Sequence, residues 1–167
     1  GPQIAKFDLA RMRNEVDRDR IATAPRGIWR WSCLLPLRDP ANIITLHEGD
    51  TPLYHARRLG EELGLSHLYI KDDSVNHPTL SYKDRVVPVA ATRAIELGFD
   101  TFGCASTGNL GNSVAAHAAR LGLRCYVFIP QSLEPGKIIG SAVSGSHVVG
   151  IDGTYDDVNR LCTQVGD

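Results

Sequence analysis

The sequence lacks long apolar runs, closely spaced cysteines and closely spaced histidines, and each absence excludes a class of protein. Its apolar stretches are far shorter than the roughly 20 residues that a transmembrane helix needs, so we expect no membrane span and no membrane partner. No C-x-x-C and no H-x-x-x-H occurs. Zinc-type sites depend on such pairs, so we predict that the chain binds no metal.

The four cysteines are too few and too scattered for a disulfide framework in a chain of 167 residues. They are Cys33, Cys104, Cys125 and Cys162. Cys104 and Cys125 fall in apolar, strand-like runs, which is typical of buried free thiols. Free thiols indicate a reducing compartment, so the predicted location is the cytoplasm.

The sequence also lacks an excess of positive or negative charge. The chain has 18 Lys and Arg against 19 Asp and Glu, for a net charge of −1. This balance gives no general attraction to nucleic acid, so we expect no nucleic-acid partner. A hydrophobic content of 43% and a charged content of 22% are typical of a globular protein, and the length allows one domain with its own core.

The N-terminal segment, residues 1–47, shows little regular pattern. Apolar residues at helical spacing predict one short surface helix within residues 7–21. Trp29 and Trp31 are either core anchors or contacts to another domain, and we favour anchors. We expect this segment to lean on the rest of the protein rather than to fold alone.

Both ends of the sequence indicate a piece of a longer protein. Gly1-Pro2 resembles the pair of residues that a protease leaves after it removes an expression tag. Val165-Gly166-Asp167 follows a helical pattern without an evident terminating structure.

From residue 66 onward, predicted strands and helices alternate with short connections. The predicted strands are Leu68–Ile70, Thr101–Ala105, Arg124–Ile129 and His147–Ile151. The predicted helices are Ser81–Leu97, Asn109–Leu121, Pro135–Val143 and Tyr155–Val165. This alternation predicts an α/β fold, an open parallel four-stranded sheet with helices on both faces, within a domain of residues 48–167. The loops that follow the strands, at 72–81, 106–108, 130–135 and 152–154, should share one rim of the sheet.

The first motif of interest on this rim is Ser81-Tyr82-Lys83-Asp84-Arg85. Ser81 and Asp84 have the spacing of a capping box at a helix start. On residues alone, Lys83 is an ordinary exposed lysine. However, a cation in the first turn opposes the helix dipole, and the position suits an amine that is neutralised or faces a phosphate.

The second motif is Ser106-Thr107-Gly108-Asn109, between a predicted strand and a predicted helix. Backbone N–H groups at such a helix start suit an anion, and Gly108 and Gly111 allow close backbone approach. A simple capped turn explains the same residues equally well. The segment matches neither the dinucleotide fingerprint nor a Walker sequence.

Together these motifs resemble the cofactor lysine and the substrate loop of fold-type II pyridoxal phosphate (PLP) enzymes. Five sequence segments are similar to the threonine synthase family in particular: NHPTLSYKDRVVPVA, CASTGNLGNS, VFIP, GK and DGTYDDVNRLC. The E-G-D-T-P-L segment at 48–53 and Y-I-K-D-D at 69–73 extend the resemblance, which covers about residues 5–166.

The resemblance implies that Lys83 is the catalytic lysine and forms an imine with PLP. It implies that Asn109 contacts the cofactor ring oxygen and that Ser106, Thr107 and Gly108 hold the substrate carboxylate. The implied reaction converts the small molecule O-phosphohomoserine and water to threonine and phosphate. A homodimer is a further expectation.

The resemblance also implies that a second, larger cofactor-binding domain is absent from this sequence. The glycine-rich phosphate loop and the residue facing the ring nitrogen come later in the family. We therefore expect this fragment to be inactive alone and to bind PLP weakly or not at all.

Several residues depart from the commoner family pattern N-P-T-G-S-F-K-D-R. His77 replaces the asparagine, Leu80 the glycine and Tyr82 the phenylalanine. Leu110 stands where many relatives carry a threonine, and it cannot donate a hydrogen bond to a phosphate. Arg85 either supplies positive charge near Lys83 or points to solvent.

Two alternatives remain open at this level. One is another fold-type II PLP enzyme, such as a serine or threonine ammonia-lyase, a cysteine synthase or a cysteate synthase. The other is a non-catalytic fragment that only pairs with a partner.

Lys137 is more typical of a structural helix start than of catalysis. The remaining histidines are interpreted as surface or packed residues; they are His47, His55, His67, His117 and His147.

Overall fold

The computed structural model describes residues 6–166, so the Gly1-Pro2 pair predicted to be a tag remnant lies outside the described residues. The strands are β1 (Leu53–His55), β2 (Tyr69–Lys71), β3 (Thr101–Ala105), β4 (Arg124–Pro130) and β5 (His147–Ile151). The α-helices are α1 (Leu9–Glu15), α2 (Arg18–Thr23), α3 (Arg57–Leu63), α4 (Val87–Glu96), α5 (Asn109–Leu121), α6 (Pro135–Ala142) and α7 (Tyr155–Gly166). The 3-10 helices are Ile28–Leu34, Pro40–Asn42, Asp73–Val75 and Tyr82–Arg85. Among these described residues, no helix is both long and apolar enough to cross a membrane.

The main sheet is parallel, in the order β3-β4-β5, and it confirms the predicted α/β class. Strand β4 is central because its sequence is apolar on both sides, which suits a strand covered on both faces. Cys125, Val127 and Ile129 pack with helix α5 in the core. Alternate residues of a strand point to opposite faces, so Tyr126 and Phe128 face the other way, toward helix α7.

The predicted four-stranded sheet is wrong in its strand number, because the sheet has three strands. Strand β2 does not join it but pairs antiparallel with β1, with Tyr54 opposite Ile70. All three residues of β2 are exposed. A short run ending in a lysine cannot supply the two buried faces that a strand in a parallel sheet presents.

Two predicted helices are each divided in the structure. The helix predicted within 7–21 is interrupted at Asp17, whose carboxylate accepts hydrogen bonds from two backbone N–H groups of α2 and so starts a second helix. The helix predicted at 81–97 is a 3-10 helix at Tyr82–Arg85 followed by α4. Pro88 lies in the first turn of α4, where its missing N–H is tolerated.

The N-terminal segment leans on helix α4, as expected. The side chain of Glu96 accepts hydrogen bonds from the N–H groups of Arg38 and Asp39, both at 2.9 Å. Trp29 donates its indole N–H to the carbonyl oxygen of Ile44 at 2.8 Å and so anchors this segment. Trp31 is exposed, so the anchor interpretation holds for only one of the two tryptophans.

The crossing of α5 and α6 depends on a missing side chain. A Cβ added to Gly140 would lie 2.6 to 2.7 Å from three side-chain atoms of Asn112. Asn112 also accepts a hydrogen bond from the Ser141 hydroxyl at 2.9 Å, which limits its freedom to move away. We expect Gly140→Ala to lower the free energy of unfolding by about 1–3 kcal/mol, measured by urea denaturation.

Gly136→Ala is the matched control for this prediction. It adds the same methyl group to the same helix, but no atom lies within 4 Å of the new Cβ. It should be neutral or raise stability by up to about 1 kcal/mol. Equal losses from both substitutions would show that the α5–α6 contact does not require Gly140.

Candidate active site

Lys83 lies in the 3-10 helix Tyr82–Arg85, whose start is the capping box predicted from the sequence. The Ser81 hydroxyl accepts the N–H of Lys83 at 3.2 Å, and the Asp84 carboxylate accepts the N–H of Ser81 at 3.4 Å. The Lys83 side chain is half-buried, and its Nζ lies 4.8 Å from the centre of the Tyr82 ring. The amine is therefore neither freely solvated nor deep in the core.

Asp84, the next residue, is fully buried. Its carboxylate accepts the N–H of Thr79 at 3.0 Å and the Thr79 hydroxyl at 2.8 Å. These bonds close the loop in front of Lys83. Thus Asp84 shapes the loop and does not form an ion pair with Lys83.

Arg85 does not point to solvent, so that interpretation of this residue was wrong, while its supply of positive charge near Lys83 stays a prediction. Its guanidinium forms an ion pair with Asp73 at 2.6 Å and donates to the Thr51 hydroxyl at 2.9 Å. The hydrogen bond from Arg85, followed by the one from Thr51, lowers the pKa of Asp73 to about 2. The positive charge of Arg85 is thus balanced within the loop.

The S-T-G-N turn follows β3 and leads into α5, as predicted. Ser106 is buried, and its hydroxyl oxygen accepts the N–H of Gly111 at 2.8 Å and the N–H of Gly108 at 3.3 Å. Ser106 therefore caps this helix start. Thr107 and Gly108 are half-buried, and Asn109 is exposed at the first position of α5.

Gly111 permits the close packing behind this turn. A Cβ at this position would lie 3.0 Å from the Val127 side chain and 3.3 Å from the Cβ of Ser106. The helix start therefore sits directly on β4.

The two motifs lie on adjoining elements. The 3-10 helix of Lys83 packs against α5, which begins at Asn109. The lysine loop follows β2 and so reaches this place from outside the parallel sheet, whereas the S-T-G-N turn lies at the carboxyl end of β3. The predicted common rim thus holds for the turn, and the place of the lysine loop on that rim stays a prediction.

Sequence reasoning missed the buried pair of Glu48 and His117. Both side chains have no exposed surface, and Nε2 of His117 lies 2.7 Å from a carboxylate oxygen of Glu48. His117 occurs inside the apolar run V-A-A-H-A-A, and a histidine in the middle of such a run was the available signal of a buried partner.

Lys137 and the thiols of Cys104 and Cys125 do not lie in surroundings that favour catalysis. Lys137 is exposed at the start of α6, with its Nζ 3.7 Å from Glu134. Burial raises the pKa of the Cys104 thiol to about 12 and that of Cys125 to about 11. These thiols are inert packing groups, as predicted.

Leu80 adopts a left-handed backbone conformation, with φ of 59°, at the position where the commoner family pattern has glycine. Its side chain is 60% exposed, so little burial offsets the steric cost. We expect Leu80→Gly to raise the free energy of unfolding by about 1 kcal/mol, measured by urea denaturation. Leu97→Gly is the control, because Leu97 is similarly exposed but has φ of −94°; it should be destabilising.

Removal of the Arg85 guanidinium should raise the pKa of Asp73 toward its usual value of 3.8. Because the folded-state pKa is depressed, the ion pair contributes stability above pH 3.8 that is lost as pH falls toward about 2. A carbon-13 NMR titration of the carboxyl groups should show the upward shift in Arg85→Met. Arg93→Met, which removes a partner of Glu96 instead, should leave Asp73 unchanged.

The sequence of this chain matches known proteins. A family model described as pyridoxal-phosphate dependent enzyme matches residues 44–166. The threonine synthase of Methanocaldococcus jannaschii is 38% identical over 160 residues, which is 95% of this chain and 39% of that protein. The threonine synthase of Methanosarcina acetivorans is 38% identical over 156 residues, which is 90% of this chain and 38% of that protein. The chain thus spans about two fifths of the length of these relatives.

Solved structures agree in fold. Diaminopropionate ammonia lyase from Escherichia coli, in apo form, has a TM-score of 0.63 at 23% identity, over 73% of this chain and 37% of that chain. The processed form of threonine deaminase isoform 2 from Solanum lycopersicum has a TM-score of 0.62 at 20% identity, over 90% of this chain and 38% of that chain. At these identities the likeness concerns the fold alone.

The resemblance inferred from the two motifs is confirmed at the level of the family, whose cofactor is PLP. Because the family match includes the Lys83 loop, the S-T-G-N turn and the whole parallel sheet, this chain belongs to the pyridoxal-phosphate dependent enzymes.

Proposed function

We propose that this chain is the part of a threonine synthase that carries the cofactor-binding lysine. The intact protein would convert O-phospho-L-homoserine and water to L-threonine and phosphate. The observation that carries the proposal is the 38% identity to two threonine synthases over at least 90% of this chain, which includes the Lys83 loop and the S-T-G-N turn. Within residues 6–166 the Lys83 amine has no carboxylate partner, because the neighbouring Asp84 and Asp73 are both engaged elsewhere.

The residues at the site fit PLP. When bound, this cofactor acts as an electron sink for charge that develops on the carbons of an amino-acid substrate. The Lys83 amine would hold this cofactor through its aldehyde, and the same Nζ would take protons from the substrate carbons and return them. Asn109, exposed at the first turn of α5, supplies an amide for the ring oxygen.

The S-T-G-N turn supplies the contacts for the substrate carboxylate. The Ser106 hydroxyl already accepts two backbone N–H groups, so we assign Ser106 to the shape of the turn. Thr107 and Gly108 then provide the direct donors, through a hydroxyl and through backbone N–H groups at the start of α5. The positive end of the helix dipole favours a carboxylate here.

The threonine synthases that resemble this chain are more than twice its length. We therefore propose that the cofactor phosphate and the ring nitrogen are held by residues of a second, larger domain. The chain alone would then be inactive and would bind PLP weakly or not at all. A cytoplasmic location and a homodimer remain predictions.

The test uses the intact natural protein that contains this chain. With O-phosphohomoserine, it should release phosphate and form threonine, measured by a phosphate assay and amino-acid chromatography. Lys83→Arg should lower the rate by roughly 10³-fold or more, because the guanidinium cannot bind the aldehyde or move protons at neutral pH. Lys137→Arg, at an exposed lysine of α6, should leave the rate unchanged.

The outcomes separate the candidate functions. Release of ammonia from serine or threonine, without threonine formation from phosphohomoserine, would assign the chain to another PLP lyase. An intact protein with neither activity, whose behaviour is unaltered by Lys83→Arg, would support a non-catalytic fragment. Strong visible-edge absorbance on adding PLP to the chain alone would contradict the weak binding proposed for it.

A further inference from the structure

The pair of Glu48 and His117 is built to share one proton. Nδ1 of His117 lies 2.8 Å from the carbonyl oxygen of Ser113, which can only accept, so this nitrogen donates. Nε2 faces the Glu48 carboxylate at 2.7 Å. One proton between Nε2 and the carboxylate therefore gives a pair of zero net charge in a place without water access.

Defined hydrogen-bond donors surround the Glu48 carboxylate. Burial raises the pKa of Glu48, but hydrogen bonds from His117, Thr45 and Leu46 outweigh burial and bring that pKa below its usual value. The Thr45 hydroxyl and the Leu46 N–H donate at 2.7 and 2.6 Å. Three donors from separate parts of the chain thus fix Glu48 in position.

A continuous path of backbone and hydrogen bonds connects Glu48 to the lysine loop. The N–H of Gly49 donates to the side-chain oxygen of Asn76 at 2.7 Å. The Asn76 amide then donates to the carbonyl oxygen of Ser81 at 2.7 Å, and Ser81 caps the 3-10 helix of Lys83. Asn76 is fully buried. We call His117, Glu48, Gly49, Asn76 and Ser81 the polar relay.

The middle of the polar relay has little room to adjust. Gly49 has φ of 85°, and a Cβ there would lie 3.0 Å from the Ile28 backbone nitrogen and 3.3 Å from the Arg85 guanidinium. Arg85 comes from the same 3-10 helix as Lys83, so the two ends of this helix are held against the E-G-D-T-P-L segment by different contacts. The E-G-D-T-P-L segment is therefore connected to both ends of the 3-10 helix that carries Lys83.

We propose that His117 and Asn76 are positioning residues for the Lys83 amine. His117 holds Glu48 to helix α5, and Asn76 carries that restraint to Ser81, so that Lys83 keeps a fixed place relative to the S-T-G-N turn at the start of the same helix. The catalytic meaning of this placement rests on the proposed function, but the placement itself does not. The competing explanation is that His117 and Glu48 only fill space.

The test replaces the pair by apolar groups of similar size, Glu48→Met with His117→Leu. Such replacements of buried ion pairs commonly preserve folding, so packing is kept while the polar relay is broken. The readout is competitive acetylation of the chain's lysines at neutral pH, quantified by mass spectrometry relative to exposed Lys137. Lys83 should react about threefold faster or more, because release of the loop exposes an amine that now lies against Tyr82.

Arg93→Met is the control, because it leaves Glu96 in place to accept the N–H groups of Arg38 and Asp39. It removes another ion pair, on α4, which does not belong to the polar relay. It should leave the relative reactivity of Lys83 unchanged. If Lys83 also keeps its wild-type reactivity in the folded Glu48→Met and His117→Leu variant, the proposal is wrong and the pair is a packing feature.

A variant at the other end of the polar relay serves if the double variant does not fold. Asn76→Asp still accepts the N–H of Gly49 but cannot donate to Ser81, so it should also raise the reactivity of Lys83. Hydrogen exchange of the wild-type chain needs no substitution. The amides of Gly49 and Lys83 should share one opening free energy, and clearly different values would overturn the proposal.

Kinetics of the intact protein connect this placement to function. The pair replacement should lower kcat by roughly tenfold or more with little change in KM, because a misplaced amine affects the reaction more than substrate binding. An intact protein that makes no threonine would refute the proposed function, while the acetylation result would still decide whether the polar relay positions Lys83.

Discussion

A carboxylate without water must find hydrogen-bond donors inside the protein, and this constraint organises the chain around Glu48. The carboxylate lies in an irregular segment, where neither strand nor helix fixes the backbone. Its partner, His117, lies in the middle of the best-packed helix of the α/β unit. Leaving either group without its partner in the interior would cost several kcal/mol. The pair therefore holds the irregular segment of Glu48 to helix α5, in addition to the surface that they bury.

The same principle explains how a free amine is obtained in a loop rich in charged residues. Asp84 is turned inward by Thr79, and Asp73 is taken up by Arg85 and Thr51. Each acidic group close in sequence to Lys83 therefore has a stronger partner than the lysine. Local charge balance is achieved without using the Lys83 amine.

How much of this the sequence could predict depends on the range of the interactions. The capping box at Ser81, helix α5 and strand β5 were predicted closely, because caps, periodicity and glycine stops are local signals. The position of β2 was wrong, because a three-residue run carries no information on its pairing partner. The pairing of Arg85 with Asp73 and of Glu48 with His117 could not be predicted, because separations of 12 and 69 residues leave no periodic trace. Leu80 is a local case: it stands where the commoner family pattern has glycine, and its φ is positive, but the sequence alone left its backbone conformation open.

The long separation of Glu48 and His117 also sets an order on the assembly of the chain. A ribosome releases the E-G-D-T-P-L segment well before helix α5, so the carboxylate has no His117 partner when it first emerges. Closing so large a loop becomes favourable only once α5 has formed on its strands. Until then the E-G-D-T-P-L segment stays open to proteases and chaperones.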